Sequence, residues 1–218
     1  MQIWEAVFLG VIQGLTEFLP ISSSGHLVLL EHYLGVQEAG LTFDTLLHVG
    51  TLVALVIYFW PEWLGMATSV WRPSRANRFE RRLLSYLIIG TIPGAAAGFF
   101  LEKQAETIFR QPVRVALLLA GMGLLLWLAD HYARHQRRLP GLTLADALLI
   151  GGAQALAIMP GVSRSGSTMT MGLFLGLTRE TAARFSFLLS TPIICGAGLY
   201  QGIKLWKSGL LNFVGLPY

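Results

Sequence analysis

The chain has 218 residues, of which 54% are hydrophobic and only 13% charged, with a formal net charge of +4 and a mean hydropathy of +0.58. Soluble domains carry about 25% charged residues, so this composition excludes that class and describes a polytopic membrane protein. Eight of the 16 Lys and Arg residues fall in two short loops between apolar stretches, which makes the positive charge a matter of membrane orientation and argues against nucleic acid as a partner.

In chain order, the first apolar segment, roughly 3–18, lacks a basic flank and carries Glu5, Gln13 and Glu17. No cleaved signal peptide is expected there, and Met1 should begin the mature chain. A helix-breaking turn, Pro20-Ile-Ser-Ser-Ser-Gly25, separates this segment from 26–35. Each piece is shorter than the about 20 residues needed to cross a bilayer, so the pair is predicted to be a re-entrant hairpin. Full spans follow at roughly 42–60, 83–101 and 113–130. Arg72, Arg75, Arg78, Arg81 and Arg82 mark one cytoplasmic loop and Arg134, Arg137 and Arg138 another, leaving Thr42 and the linker Glu102 to Pro112 outside. Segments 145–158 and 168–177, split by Pro160-Gly-Val-Ser-Arg-Ser-Gly166, predict a second hairpin, and 180–203 a fourth span. The lone Cys195 lies in that span; it excludes an internal disulfide framework and reads as a small buried hydrophobe.

The two hairpins are copies. A shift of 141 positions lays Ala6 on Ala147, Gly10 on Gly151, Gln13 on Gln154, Leu15 on Leu156, Ser22 on Ser163, Ser24 on Ser165, Gly25 on Gly166 and Gly35 on Gly176. One copy enters from outside and the other from the cytoplasm, which predicts an all-α inverted repeat whose broken helices meet near the midplane. The whole of 1–218 is expected to form one integral membrane domain, with repeat 1 at about 1–130 and a truncated repeat 2 at about 145–218. Counterparts of spans 83–101 and 113–130 are missing from the second copy. A truncated chain, a naturally short form and a homodimer that borrows the missing wall are the three alternatives.

Charges inside hydrocarbon cost at least about 2.5 kcal/mol, so the polar groups of the breakers are functional candidates. Arg164, a fork of donors suited to phosphate oxygens, sits between Ser163 and Ser165 at the mouth of a helix expected to begin near Ser167. The first breaker leads likewise into a helix at His26. Two opposed helix starts, at Gly25 and Gly166, plus an arginine describe a receptacle for a diphosphate. Ser24 and Ser165 are expected to cap the half-helices. Glu17 and Gln13, four apart, project from one helical face. For Glu17 three roles stay open, in order: ligand of a hard cation together with Gln13, general base, and partner of Arg164. His26 follows the serines within a turn, so either it activates Ser22 or Ser23 or it attacks phosphorus itself. Asp44 and His48 share that membrane depth and rank below these residues.

These residues carry a family resemblance. Gln13-x-x-x-Glu17, Glu17-Phe-Leu-Pro-Ile-Ser-Ser-Ser-Gly-His26 and Pro160-Gly-Val-Ser-Arg-Ser-Gly-Ser-Thr168 resemble the signature motifs of the undecaprenyl-diphosphate phosphatases of the bacitracin-resistance type. Phe43-Asp-Thr-Leu-Leu-His-Val-Gly50, Gly90-Thr-Ile-Pro-Gly94 and Arg184-Phe-Ser-Phe-Leu-Leu189 extend the likeness over nearly the whole chain. The resemblance implies an enzyme of the bacterial inner membrane that removes the terminal phosphate from a C55 polyprenyl diphosphate. It returns the lipid carrier to peptidoglycan synthesis, and its pocket opens to the periplasmic side. It further implies a divalent cation, Mg2+ or else Ca2+, at Glu17 and Gln13. Ser22, Ser23 and His26 fall on the catalytic run, and Ser163, Arg164 and Thr168 on the diphosphate-binding segment. Gln13 stands where the family often has glutamate, and the family usually continues through two further spans. The rival reading is an inverted-repeat transporter or flippase of a phosphorylated lipid or anion, which needs no nucleophile. A membrane assembly protein without activity is the third.

Overall fold

The computed structural model of the protein describes residues 2–35 and 41–207, and among these every regular element is a helix. In chain order they are α1 (Ile3–Thr16), α2 (Ser23–Leu34), α3 (Leu41–Tyr58), α4 (Trp60–Trp71), α5 (Arg78–Thr107), α6 (Pro112–Tyr132), α7 (Leu144–Ala155), α8 (Arg164–Phe174) and α9 (Arg179–Lys207). Helices α5, α6 and α9 are long and apolar enough to cross a membrane, and α3 with α4 forms a fourth apolar stretch bent by 73°. Each of the four expected spans overlaps one of these stretches, as a multi-pass membrane protein requires. The part of the second repeat beyond residue 207 lies outside the described residues.

The loops are shorter than the charge pattern suggested. The chain turns at Phe59 and re-enters a helix, α4, with Pro61 in its first turn, a position where the missing N–H of proline costs nothing. Arg78, Arg81 and Arg82 belong to the first turns of α5, which also runs to Thr107 through much of the expected outer linker. Cys195 is exposed, not buried. In a membrane protein apolar character marks the lipid-facing surface as well as the core, and α6 makes the same point with Leu117, Leu124 and Trp127 turned outward.

The core lies where α3, α5, α7 and α9 meet. Phe185, Leu188 and Leu189 occupy one face of α9 at helical spacing and pack with Leu55, Leu83, Leu87, Ala147 and Ile150. Glycine sets how closely α5 and α7 approach, since a Cβ added to Gly151 would lie 2.9 Å from the Cα of Gly90. Thr143 and Asp146 cap α7 reciprocally, the Asp146 amide donating to Thr143 Oγ1 at 3.2 Å and the Thr143 amide to Asp146 Oδ2 at 2.7 Å. Arg137 binds both oxygens of Asp146, at 3.0 and 2.5 Å, and donates to the carbonyls of Leu175 and Gly141. One side chain thereby ties the 133–142 connection to the ends of α7 and α8.

Both helix breaks are present, with the helices starting earlier than expected: α2 at Ser23 and α8 at Arg164. The capping residues are Ser22 and Ser163, not Ser24 and Ser165. Ser22 Oγ accepts from the Gly25 amide at 3.2 Å and Ser163 Oγ from the Gly166 amide at 3.0 Å, the reach of a cap onto the third residue of its helix. Ser23 and Arg164 thus hold equivalent positions, each the first residue of its helix.

Candidate active site

The two breaks pack against each other. A Cβ on Gly25 would stand 3.2 Å from the Gly161 Cα, and one on Gly166 the same distance from the Pro20 carbonyl oxygen. Ser165, freed from capping, donates across the junction to the Leu19 carbonyl at 3.0 Å. Above this junction opens a cavity of ≈540 Å³, lined from the first break by Glu17, Ser22, Ser23 and Ser24 and from the second by Pro160, Ser163, Arg164 and Ser165. Asp44 and His48 of α3, Arg110 and Gln154 add to its polar wall.

Glu17 is the centre of the arrangement. It is buried, and its Oε1 accepts from Arg164 Nη2 while its Oε2 accepts from Ser23 Oγ and, at 2.9 Å, from Gln13 Nε2. His48 Nε2 stands 3.3 Å from the same Oε2. The His48 Nδ1 donates to the Asp44 carbonyl at 2.6 Å, so both ring nitrogens face oxygen acceptors. The pairing with Arg164, ranked last for Glu17 from sequence, is the contact made. Arg164 keeps a second nitrogen, Nη1, buried and without a partner among the described residues.

Not every sequence candidate reaches this centre. His26 donates from Nδ1 to the Ser22 carbonyl at 2.8 Å and does not line the cavity. Thr168 turns its hydroxyl to the Arg164 carbonyl at 2.8 Å and to Ser186 Oγ at 2.6 Å, bracing α8 against α9. Gly25 and Gly166 serve the junction rather than the cavity wall. His48 contacts the carboxylate instead; in sequence its signals were membrane depth and its place in the Phe43–Gly50 segment, and it ranked below His26. Arg110, taken only as part of an outer linker, bridges α2 and α3 by donating to Glu31 at 2.6 Å and to Asp44 at 2.5 Å.

Among the described residues no group of three or more His, Cys, Asp or Glu side chains could hold a metal. Gln13 Oε1, however, is a buried acceptor with no partner among those residues, beside the Glu17 carboxylate. Gln13 does not itself line the cavity and turns Nε2 to Glu17, so the pair offers two oxygens to a hard cation only with the amide turned over, the remaining ligands coming from phosphate and water.

The family model of the bacitracin resistance protein BacA matches residues 6–216. The chain belongs to the BacA family. Among its relatives, the undecaprenyl-diphosphatase of Pelotomaculum thermopropionicum is 54% identical over 201 residues, covering 92% of this chain and 75% of the relative. That of Moorella thermoacetica is 53% identical, covering 92% and 76%. That of Trichlorobacter lovleyi is 45% identical over 222 residues, covering all of this chain and 81% of the relative. The segments that meet at the cavity, around Glu17–Ser24 and Pro160–Ser165, lie within the matched residues.

Proposed function

We propose that the chain uses this cavity to hydrolyse undecaprenyl diphosphate to undecaprenyl phosphate and inorganic phosphate. It is an undecaprenyl-diphosphate phosphatase of the BacA family, an activity that recycles the carrier lipid for peptidoglycan synthesis and accompanies bacitracin resistance. The observation that carries the reading is the hydrogen bond from Ser23 to the buried Glu17, with Arg164 on the other carboxylate oxygen. A transporter needs no hydroxyl placed on a base.

Glu17 takes the Ser23 proton as Oγ attacks the terminal phosphorus, and the bond from that phosphorus to the bridging oxygen breaks, releasing undecaprenyl phosphate. Water then attacks the phosphoserine while Glu17 returns the proton to Oγ, freeing inorganic phosphate. Of the two bases that the sequence left open for the serine, Glu17 and His26, this takes Glu17. His26 holds the Ser22 turn instead, and through it the start of α2. Arg164 Nη1 and the free amides at the starts of α2 and α8 receive the diphosphate oxygens. A divalent cation, Mg2+ or Ca2+, would be held by Glu17 with Gln13 Oε1, and when bound it neutralises phosphate charge.

Two supports favour an inverted repeat. A shift of 141 positions carries Ile3 onto Leu144 and Ser23 onto Arg164, the starts of paired helices. The junction contacts are also reciprocal: Gly25 meets Gly161, while its counterpart Gly166 meets Pro20, the counterpart of Gly161. Such i-to-j and j-to-i contacts are what a two-fold relation produces. The arginines at 72–82 and 134–138 support a cytoplasmic side for those segments and a cavity open to the opposite, periplasmic side, and the family likeness supports the bacterial inner membrane as the location. The deciding experiment measures inorganic phosphate released by purified protein from undecaprenyl diphosphate, in parallel with movement of labelled lipid phosphate between leaflets. Movement without release would replace the enzyme by a flippase.

A further inference from the structure

Gln154 lies in the last turn of α7, only 4% exposed, and neither its Nε2 nor its Oε1 has a partner among the described residues. It lines the same cavity as Glu17, Ser23 and Arg164. A buried primary amide with both ends unpaired by protein is costly unless a ligand or water in the cavity meets it. Its position is also held. One turn earlier Gly151 abuts Gly90, and Gly94 opens a notch for the amide: a Cβ there would stand 2.9 Å from Nε2 and 3.3 Å from Cγ. The counterpart of Gln154 in the first repeat, Gln13, spends its Nε2 on Glu17; the residue that corresponds to Glu17 is Ile158, so Gln154 has no carboxylate to serve.

We infer that Gln154 is a substrate-binding residue whose Nε2 donates to a non-bridging oxygen of the diphosphate, beside the guanidinium of Arg164. This rests on the phosphatase reading above. An amide suits the place: it adds a donor for an anion without adding another charge to the buried set, and it leaves an acceptor for a water or a protonated phosphate oxygen.

The test compares wild type with Gln154→Leu, which keeps the volume and removes both polar ends, and Gln154→Glu, which sets a carboxylate against the anion. Two readouts are used, kinetics on undecaprenyl diphosphate in detergent and the shift in melting temperature on adding inorganic diphosphate. Gln154→Leu is expected to raise KM about ten- to a hundredfold, the effect of one lost hydrogen bond to a charged group. Its kcat should change less, its melting temperature without ligand should equal or exceed that of wild type, and its diphosphate-induced shift should shrink. Gln154→Glu should raise KM further. An unchanged KM and diphosphate shift in Gln154→Leu would overturn the assignment. So would a lowered melting temperature in ligand-free Gln154→Leu, since the amide would then be bonded within the resting protein. If wild type releases no phosphate, the phosphatase reading fails by itself, and the melting shifts still decide whether the amide meets a diphosphate.

Discussion

Arg164 donates through Nη2 to Oε1 of Glu17, 147 positions away in the chain, and so joins the two breaks. The pair closes the site and leaves each partner a free function: Oε2 on Ser23, and Nη1 facing no protein group among the described residues. Removing either partner leaves a buried, uncompensated charge. Glu17→Ala and Ser23→Ala should each lower phosphate release by about a thousandfold or more, and Arg164→Ala by at least about a hundredfold. In the double variant Glu17→Ala/Arg164→Ala the losses should be far from additive, as for groups that act as a unit. Wild-type-like turnover in any single variant, assayed as released phosphate, would remove that residue from the mechanism.

His48 steadies the carboxylate from the side opposite Arg164. His48→Ala should reduce kcat about tenfold, the worth of one hydrogen bond to a charged group, and His48→Gln, which keeps a donor, should recover most of it. His26→Ala acts on the Ser22 turn instead and should also depress kcat, with the Gln substitution giving no such recovery.

Chelation should abolish turnover and added Mg2+ or Ca2+ restore it. Gln13→Glu would turn the amide into a second carboxylate beside Glu17 and should lower the cation concentration needed for half-maximal activity, read from a metal titration.

Gly151→Ala would drive a methyl group into the Gly90 backbone. The expected cost is about 1–3 kcal/mol, seen as a lower melting temperature in detergent. Asp146→Ala removes the N3 half of the α7 capping box and the anchor of Arg137 and should cost about 1–2 kcal/mol by the same measure.

Much of this was legible in the sequence because the bilayer enforces it. Apolar length identifies α5, α6 and α9, and proline with serine inside short apolar segments identifies the breaks at Pro20 and Pro160. That the two breaks would meet followed from the repeat, while the direct pairing of Glu17 with Arg164 ranked last among the roles read for Glu17. Three things were not legible. The α4 helix hid behind an arginine count that marks a side of the membrane but not a backbone conformation. The caps at Ser22 and Ser163 depend on which serine takes the left-handed or extended turn, and a run of serines does not distinguish them. The preference of Glu17 for His48 over His26 depends on how α3 packs, a long-range contact that local spacing does not encode.

The modest volume of the cavity bears on what the protein discriminates. At ≈540 Å³ it matches a drug-sized ligand, and a 55-carbon chain with its diphosphate is larger than that. Only the headgroup and the nearest isoprene units can be enclosed, and the remainder must trail into the surrounding lipid. Among the described residues no wall encloses the far end of the substrate, and shorter prenyl diphosphates should be turned over once they partition into the same bilayer.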